Sequence, residues 1–531
     1  MVLHTAQIIV PSALALVLHT AQIIVPSALA LVFLTYRLSR KQFPLPPGPP
    51  ADPVIGHLRS IPPVGQDVFF YKLGKKYVLG KSLVILNSVQ AATDLLDKRS
   101  HNYSHRPQFP VFELWGIGDL LVVVDYGKEF LMQRKMVQQY FHKEKCQDYR
   151  PVQLREARLF VQNLLSTPDH WSDLLFRFTT AIIIDITYGR QVVSIDDPYV
   201  KIAEACAGVA AEAGAIGGTP VDLFPFLRYF PSWFPGTYYA TLARKAVDKF
   251  QRLKEYPFVQ VMEQMKQDDE ASIKHIKAAA AIVYLAGAET TSSTLCFFVL
   301  AMVLHPECQQ KAQDEIDAVV GYDRLPEFHD RENLAYLECL LQETLRWFQV
   351  LPMGVPHRTM EDDIYNGMLI PKGSTVIANT RAMTLDESVY QDPFTFDPTR
   401  YLAAPAGRGE PYPTGPFGFG RRICPGRHFA DDTLWIAMAT ILATISIAKA
   451  VGNDGKEIIP DVVPVTVGST SRPRPFRCRL EARNDAASNL LRNFVVDGVG
   501  LMWCHQGKVS QAARSTVTCV HPFSSPFTTA E

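Results

Sequence analysis

The chain has 531 residues, 47% hydrophobic and 20% charged, a globular composition that excludes a disordered, collagen-like or disulfide-stapled protein. Lys and Arg total 53, as do Asp and Glu, so no basic excess points to nucleic acid. The nine cysteines form no C-x-x-C pair, which fits a reducing compartment and excludes a zinc ribbon.

Residues 1–36 predict a membrane anchor. The stretch Val2–Leu16 is repeated letter for letter as Val17–Leu31, and no charged residue precedes Arg37. A tandem copy without drift indicates a recent duplication or an error in assembling the chain, because structural repeats diverge. One copy joined to Val32–Tyr36 supplies the ~20 apolar residues that a membrane helix needs. We therefore expect one transmembrane span rather than two.

Residues 37–50 predict a basic and proline-rich hinge. Arg37, Arg40 and Lys41 follow the apolar stretch, and the positive-inside rule then places the rest of the chain in the cytoplasm. A cleaved secretory signal is disfavoured, because no basic residue precedes the stretch and it is too long. The run Pro44–Pro50 is either a stiff spacer or an unstructured linker.

Residues 51–485 predict one large, mainly helical domain with a small β portion. The helical patterns are 88–97, 127–141, 153–165, 172–188, 199–214, 239–266, 274–304, 307–320, 331–348 and 427–446. The strand-like runs are Ser82–Leu86, Met368–Ile370 and Thr375–Asn379.

Ile276–Leu304 is apolar around most of its circumference, which is typical of a core helix. It contains Ala-Gly-Ala-Glu-Thr-Thr at 286–291. Gly287 is either a notch for helix packing or an opening for a flat ligand. Thr290 can bond back to the carbonyl of Ala286 and loosen the helix there.

Two further motifs carry polar or reactive side chains. Glu343 and Arg346 lie three residues apart on a predicted helix and can pair. The segment Phe417–Gly426 places Cys424 just before a helix, whose N-terminus lowers the pKa of a thiol. Cys424 is either an inert buried thiol or a thiolate metal ligand, and the fixed frame of Phe, Gly, Arg and Gly around it favours the ligand.

Together these motifs resemble those of the cytochrome P450 family, from the hinge to about Arg483. The haem-loop motif F-x-x-G-x-R-x-C-x-G is matched in full by Phe417, Gly420, Arg422, Cys424 and Gly426. The oxygen-activation motif is matched by Ala286–Thr291, the E-x-x-R motif by Glu343 and Arg346, and the later family arginine by Arg400. The residues within these motifs are most similar to those of fungal microsomal members, which are linked to secondary metabolism or to oxidation of terpenoids and aromatics.

The resemblance implies the cytochrome P450 fold and a haem b whose iron is bound by the Cys424 thiolate. It implies that Glu289 and Thr290 relay protons to bound oxygen, and that Glu343, Arg346 and Arg400 form a buried triad behind the Cys loop. The haem propionates would be met by Arg106, Arg134, His357 and Arg422.

The sequence departs from the family at several positions. Phe130 stands where the family has Trp, so we expect one propionate hydrogen bond to be missing, and Thr399 replaces a Glu. A strand expected after Tyr77 is missing, which would leave Ser82–Leu86 without its hairpin partner. Residues 486–531 predict an atypical, disordered tail. The duplication, the gap and the tail together indicate a faulty gene model.

The resemblance implies a monooxygenase on the endoplasmic reticulum membrane, single-pass with its catalytic domain in the cytoplasm. It would insert one atom of O2 into a small apolar substrate (a terpenoid, steroid-like or aromatic compound), using electrons from NADPH through NADPH-cytochrome P450 reductase. Membrane lipid is a partner and nucleic acid is not. One alternative is a haem-thiolate isomerase or dehydratase that needs no O2; the other is an inactive haem-binding relative.

Overall fold

A computed structural model describes residues 82–213, 219–231, 233–234, 237–262, 270–467 and 469–493. The predicted anchor, the hinge, the region of the missing strand and the chain beyond residue 493 lie outside the described residues.

Helices dominate the described residues, which agrees with the predicted fold class. The α-helices are α1 Val89–Ala92, α2 Ser100–Tyr103, α3 Pro110–Leu114, α4 Lys128–Phe141, α5 Lys143–Cys146, α6 Arg150–Ser166, α7 Trp171–Tyr188, α8 Pro198–Ala213, α9 Pro220–Leu223, α10 Tyr238–Met262, α11 Glu270–Leu304, α12 Pro306–Val319, α13 Ala335–Trp347, α14 Thr380–Thr384, α15 Arg427–Thr444 and α16 Asp485–Asn493. A π-helix occupies Thr93–Lys98, and 3₁₀ turns occupy Gln147–Tyr149, Pro168–His170, Pro225–Tyr229, Phe328–Asn333, Pro398–Tyr401 and Gly420–Arg422.

The strands are short and form small sheets. They are β1 Leu83–Leu86, β2 His357–Arg358, β3 Asp363–Tyr365, β4 Met368–Ile370, β5 Thr375–Ala378, β6 Ile445–Val451, β7 Glu457–Ile458, β8 Pro464–Val467, β9 Thr470–Pro473 and β10 Cys478–Ala482. The sheet β1-β5-β2 has a parallel pair with Val84 opposite Val376, and the sheet β10-β6-β7 is antiparallel with Leu480 opposite Ile447. Strands β8 and β9 form a separate antiparallel pair.

Strands β3 and β4 pair antiparallel as a hairpin, with Ile364 opposite Leu369. Asn366 and Gly367 at its turn both have positive φ, at 49° and 73°. An Asn-Gly pair in this conformation matches the twist of the two strands and fixes their register.

Helix α11 is the core helix that the sequence predicts. Phe297 and Phe298 are fully buried, and the helix ends where Pro306 begins α12. Its segment Ile273–Leu304 is the one described helix that is long and apolar enough to cross a membrane, but most of it is buried inside the domain. Helix α7 packs against it, and Thr179 Oγ1 donates to the carbonyl of Ala288 at 2.7 Å.

The predicted helices are all present, with shifted ends. The pattern at 88–97 is α1 followed by the π-helix, and the pattern at 331–348 is a 3₁₀ turn followed by α13. The pattern at 427–446 runs two residues too far, because the chain enters β6 at Ile445 while it is still apolar. A run of apolar residues can form either a buried helix or a buried strand, so the sequence pattern does not show where the helix ends and the strand begins.

Strand β1 pairs in parallel with β5, and the segment in which its hairpin partner was expected lies outside the described residues. One expectation about the end of the domain is corrected. The predicted disorder from residue 486 is wrong for α16, where Ala487 and Leu491 are buried and Asn484 caps the helix by accepting from Ala487 N at 2.7 Å. Apolar residues four apart give this short helix one face that packs on the domain.

Candidate functional site

The Cys loop, Phe417–Gly426, is a tight turn leading into α15. The N–H of Cys424 donates to the carbonyl of Phe417 at 2.8 Å, and the N–H of Ile423 donates to that of Gly420 at 3.1 Å. Gly420 has φ +57°, and a Cβ there would lie 1.9 Å from the carbonyl oxygen of Leu96. The position therefore requires glycine for its backbone angle and for space.

The Cys424 thiol lies at the N-terminus of α15, as predicted, but its pKa moves in the opposite direction to the prediction. Burial raises the pKa of Cys424, and this outweighs the lowering by the Gly426 N–H and by Arg134 and Arg427. The side chain nevertheless keeps some exposed surface and is in no disulfide. In the chain without a cofactor, the Gly426 N–H and the two arginines therefore compensate only part of the free-energy cost of burying a thiolate.

Three arginines, Arg134, Arg422 and Arg106, lie around this loop. Arg134 on α4 donates to the carbonyl of Ile423 at 2.7 Å. Arg422 donates to the carbonyls of Ser104 and Val124 at 2.8 and 2.9 Å. Arg134 is therefore attached to the residue that directly precedes Cys424.

Arg106 lies deeper than these two arginines, and its guanidinium donates to the carbonyls of Val122, Val355 and Pro356 at 3.0, 2.8 and 2.6 Å. Burial and the neighbouring Arg422 hold the pKa of Arg106 well below its usual range. Burial also lowers the pKa of Arg422, to about 10. Positive charge is thus concentrated in a poorly solvated place.

His357 on β2 lies beside this cluster but is not a cation. Its Nδ1 lies 2.7 Å from the carbonyl oxygen of Tyr103, which can only accept, so Nδ1 carries the proton. Burial and the charge of Arg106 lower the pKa of His357 to about 3. His357 is therefore neutral in the chain without a cofactor, although a nearby anion would raise this pKa.

Phe130, the substitute for the family Trp, contacts the same cluster. The Arg422 guanidinium lies over its ring at 3.8 Å from the centroid, and the ring is buried. Phe130 provides no hydrogen-bond donor, as the sequence predicts, but its ring face stabilises the charge of Arg422.

The motif of helix α11 separates into two faces. Gly287 points at α7, since a Cβ there would lie 2.5 Å from Cδ1 of Ile183. This supports the helix-packing interpretation of Gly287 over an opening for a ligand. Ala286 is exposed on a different face, and Thr290 Oγ1 donates to its carbonyl at 2.8 Å, the bond that the sequence predicts.

Glu289 occupies an environment that disfavours its charge. Burial raises its pKa, opposed by the charge of Arg472 and by a hydrogen bond with Thr470 of β9. Thr470 and Arg472 were not predicted as neighbours of Glu289, because the β8–β9 hairpin has no recognisable sequence pattern.

Glu343, Arg346 and Arg400 meet, as the resemblance implies, and all three are fully buried. Arg346 holds the Glu343 carboxylate through two bonds of 2.7 Å, and Arg400 Nε lies 3.2 Å from it. Two partners were not predicted: Glu410 binds Arg400 at 2.6 Å, and the Tyr401 hydroxyl donates to Glu343 at 2.9 Å. Glu410 is therefore a second carboxylate beside Glu343, and of the two buried arginines it binds Arg400.

The triad also fixes the segment that follows α14. Arg346 donates to the carbonyls of Thr384, Pro393 and Thr395, and the N–H of Asp397 donates to Glu343 at 2.9 Å. A buried charge network stabilises a fold only when its hydrogen bonds are satisfied, and these bonds satisfy it.

This architecture and this loop define a haem-thiolate protein, and the chain belongs to the cytochrome P450 family, whose family model matches residues 46–466. It is a cytochrome P450 monooxygenase, an oxidoreductase. It is 39% identical to cytochrome P450 monooxygenase ARMGADRAFT_974139 of Armillaria gallica, over 85% of this chain and 94% of the relative. It is 37% identical to cytochrome P450 monooxygenase claR of Ampulloclitocybe clavipes, over 84% and 88%. It is 36% identical to cytochrome P450 monooxygenase ple1 of Rhodocybe pseudopiperita, over 86% and 92%.

The residues present fit the haem that the family implies. Arg106, Arg134 and Arg422 are cations whose pKa values are lowered by burial, so a dianionic group among them would relieve an unfavourable charge. Cys424 offers a soft sulfur ligand from the adjoining loop, which is the donor that thiolate-bound haem iron requires.

Proposed function

We propose that this chain is a membrane-bound haem-thiolate monooxygenase that inserts one oxygen atom into an apolar terpenoid, steroid-like or aromatic substrate in secondary metabolism or xenobiotic oxidation. The observation that carries the proposal is the Cys loop, in which Cys424 is held beside Arg134 and the buried cations. Thiolate-bound haem supplies the activation of O2 when it is present.

In this proposal the chain's own residues hold the cofactor and move protons. Cys424 binds the iron, Arg106, Arg134 and Arg422 neutralise the propionates, and His357 offers Nε2 to one of them once protonated. Thr290 Oγ1 holds a proton near the exposed face of Ala286. Glu289 passes protons towards Thr290, which suits a carboxyl group whose raised pKa keeps it protonated closer to neutral pH.

The proposed electron donor is NADPH-cytochrome P450 reductase, which would dock near the Cys loop. Lys135, Lys143 and Arg421 are exposed, and Lys145 and Arg427 are partly exposed. Such a basic patch favours an acidic partner and makes the association sensitive to salt.

The proposed location is the endoplasmic reticulum membrane, with residues 1–36 as a single span and the catalytic domain in the cytoplasm. This rests on the uncharged stretch before Arg37 and the basic residues after it.

The test is the carbon monoxide difference spectrum of the full chain in membranes, with NADPH oxidation and product measured beside it. Cys424→Ser should abolish the thiolate-type spectrum and all oxygenation, because a neutral hydroxyl cannot replace the electron-rich ligand. Cys478→Ser, which changes a partly exposed cysteine on β10, is the control and should keep both.

A thiolate-type spectrum in Cys424→Ser would contradict the assignment of the ligand. A thiolate-type spectrum in the native chain, with product but no dependence on NADPH or O2, would support an isomerase or dehydratase instead. A spectrum without any turnover on a terpenoid and aromatic panel would support an inactive relative.

A further inference from the structure

The C-terminal end of the π-helix Thr93–Lys98 touches the first turn of the Cys loop. The N–H of Gly420 donates to Oδ1 of Asp97, which lies 323 residues away in the sequence. The backbone of Leu96 is also so close that Gly420 has no room for a Cβ. Two segments distant in sequence therefore lie in close backbone contact, and the hydrogen bond from the Gly420 N–H to the Asp97 side chain links them.

Gly420 is placed so that its position determines that of the cysteine. Its carbonyl accepts from Ile423 N at 3.1 Å, and Ile423 directly precedes Cys424. Arg134 holds the Ile423 carbonyl from the opposite element, α4. A shift of Gly420 would therefore be transmitted within four residues to the sulfur.

The π-helix itself is held in a way that leaves Asp97 available for this contact. Leu95 and Leu96 are buried and fix the helix to the domain. Asp94 binds Lys98 at 2.8 Å and Gln90 at 2.9 Å on the outer face. Asp97 takes no part in those bonds, is exposed, and points its carboxylate at the loop. Single turns of π-helix are uncommon and occur frequently at functional sites.

We propose that Asp97 is a positioning residue for the iron ligand. Its carboxylate, by accepting from Gly420, holds the Cys loop in the conformation that presents the Cys424 sulfur. A charged acceptor makes a stronger hydrogen bond than a neutral one, and groups that orient a metal ligand determine how firmly the metal is held. The inference rests on the proposed role of Cys424.

The test compares Asp97→Ala, Asp97→Asn and the control Asp94→Ala in the full chain. The control removes a carboxylate from the same π-helix, and with it the hydrogen bonds to Lys98 and Gln90, while it keeps the bond from Gly420 to Asp97. We measure the rate at which the thiolate-type carbon monoxide spectrum is lost on mild warming. Asp97→Ala should raise this rate roughly tenfold, the lower end of effects seen for groups that orient a metal ligand. Asp97→Asn, which keeps an acceptor oxygen, should restore most of the stability, and Asp94→Ala should resemble the native chain.

A second measurement does not depend on haem. In the haem-free chain, amide hydrogen exchange at Gly420 should be about tenfold faster in Asp97→Ala than in Asp94→Ala, because only the first variant frees that N–H. This also separates the two proposals: if Cys424 is not the ligand, the native chain gives no thiolate-type spectrum while the exchange difference persists.

Equal rates of spectral loss and equal exchange in Asp97→Ala and Asp94→Ala would overturn the inference. So would an Asp97→Asn variant as labile as Asp97→Ala, since the effect would then come from charge alone. Should Asp97→Ala fail to fold, Asp97→Leu, which also lacks an acceptor oxygen, replaces it in both measurements: faster Gly420 exchange than in Asp94→Ala supports the contact, and equal exchange refutes it.

Discussion

Neighbouring residues of helix α11 lie on two different faces and make different contacts. Gly287 packs on α7, whereas Thr290 bonds back to the carbonyl of Ala286 on the exposed face. A threonine hydroxyl that occupies the carbonyl of the preceding turn is already ordered, so it can donate to a new acceptor only by exchanging this bond.

Thr290→Ala should therefore keep haem and the thiolate-type spectrum but lose the ordered hydroxyl. Product formed per NADPH should fall about a hundredfold, the lower end of what a positioned proton donor contributes. Peroxide should account for the missing electrons. Thr294→Ala is a matched control, since Thr294 makes the same back-bond, at 2.9 Å, one turn further along the helix. Unchanged product per NADPH in Thr290→Ala would remove Thr290 from the relay.

Glu289→Gln should change stability in a pH-dependent way. Burial raises the pKa of Glu289 in the folded chain. The protonated form therefore stabilises the fold at low pH, and this contribution is lost as the pH rises through the folded pKa. The neutral glutamine avoids that loss, so the stability of the variant relative to the native chain should be greater at about pH 8 than at about pH 4. Thermal unfolding at both pH values measures this, and a stability difference that does not depend on pH would contradict the raised pKa.

At the scale of elements, the sequence predicted the long helices and the residues that carry motifs, because both depend on local spacing. It did not predict β2, β3 or β6 to β10, because most of these strands are only two to five residues long. Glu410, Tyr401 and Asp97 were missed for a different reason: each lies in a loop or helix end that the fold, and not the local pattern, brings to its partner. The predicted lowering of the Cys424 pKa was wrong, because the sequence shows that this thiol precedes a helix but does not show that it is buried.

The contact between α7 and α11 should be sensitive to one methyl group. Gly287→Ala places a Cβ against Ile183, which is buried and has little space to move. Overpacking costs about 1–3 kcal/mol, partly offset by the ~1 kcal/mol that Ala gains over Gly in a helix. In an Ile183→Ala background the clash is gone and Gly287→Ala should become stabilising. Denaturant unfolding of the four chains gives the coupling energy, and additive effects would show that the two side chains do not meet.

At the scale of the whole molecule, the described domain begins with a strand that is already paired, and it ends with α16 packed on α6 through a hydrogen bond from Gln162 to the carbonyl of Leu491 at 3.0 Å. The residues proposed to form the site all lie between these two ends. Segments outside them should therefore affect where the domain is placed more than how its site is built.

Deleting Val17–Leu31 tests that separation. The remaining uncharged stretch is still ~20 residues, enough to cross ~30 Å at ~1.5 Å per residue, and Arg37 still follows it. Insertion, orientation and catalysis should be essentially unchanged.

Deleting Val2–Leu31 leaves only Met1 and Val32–Tyr36 before Arg37, so stable insertion should be lost while the thiolate-type spectrum persists. If the two copies instead formed two spans, the single-copy deletion would move the domain across the membrane. Protease treatment of sealed microsomes distinguishes these cases: a domain that becomes protected after the single-copy deletion contradicts the one-span proposal.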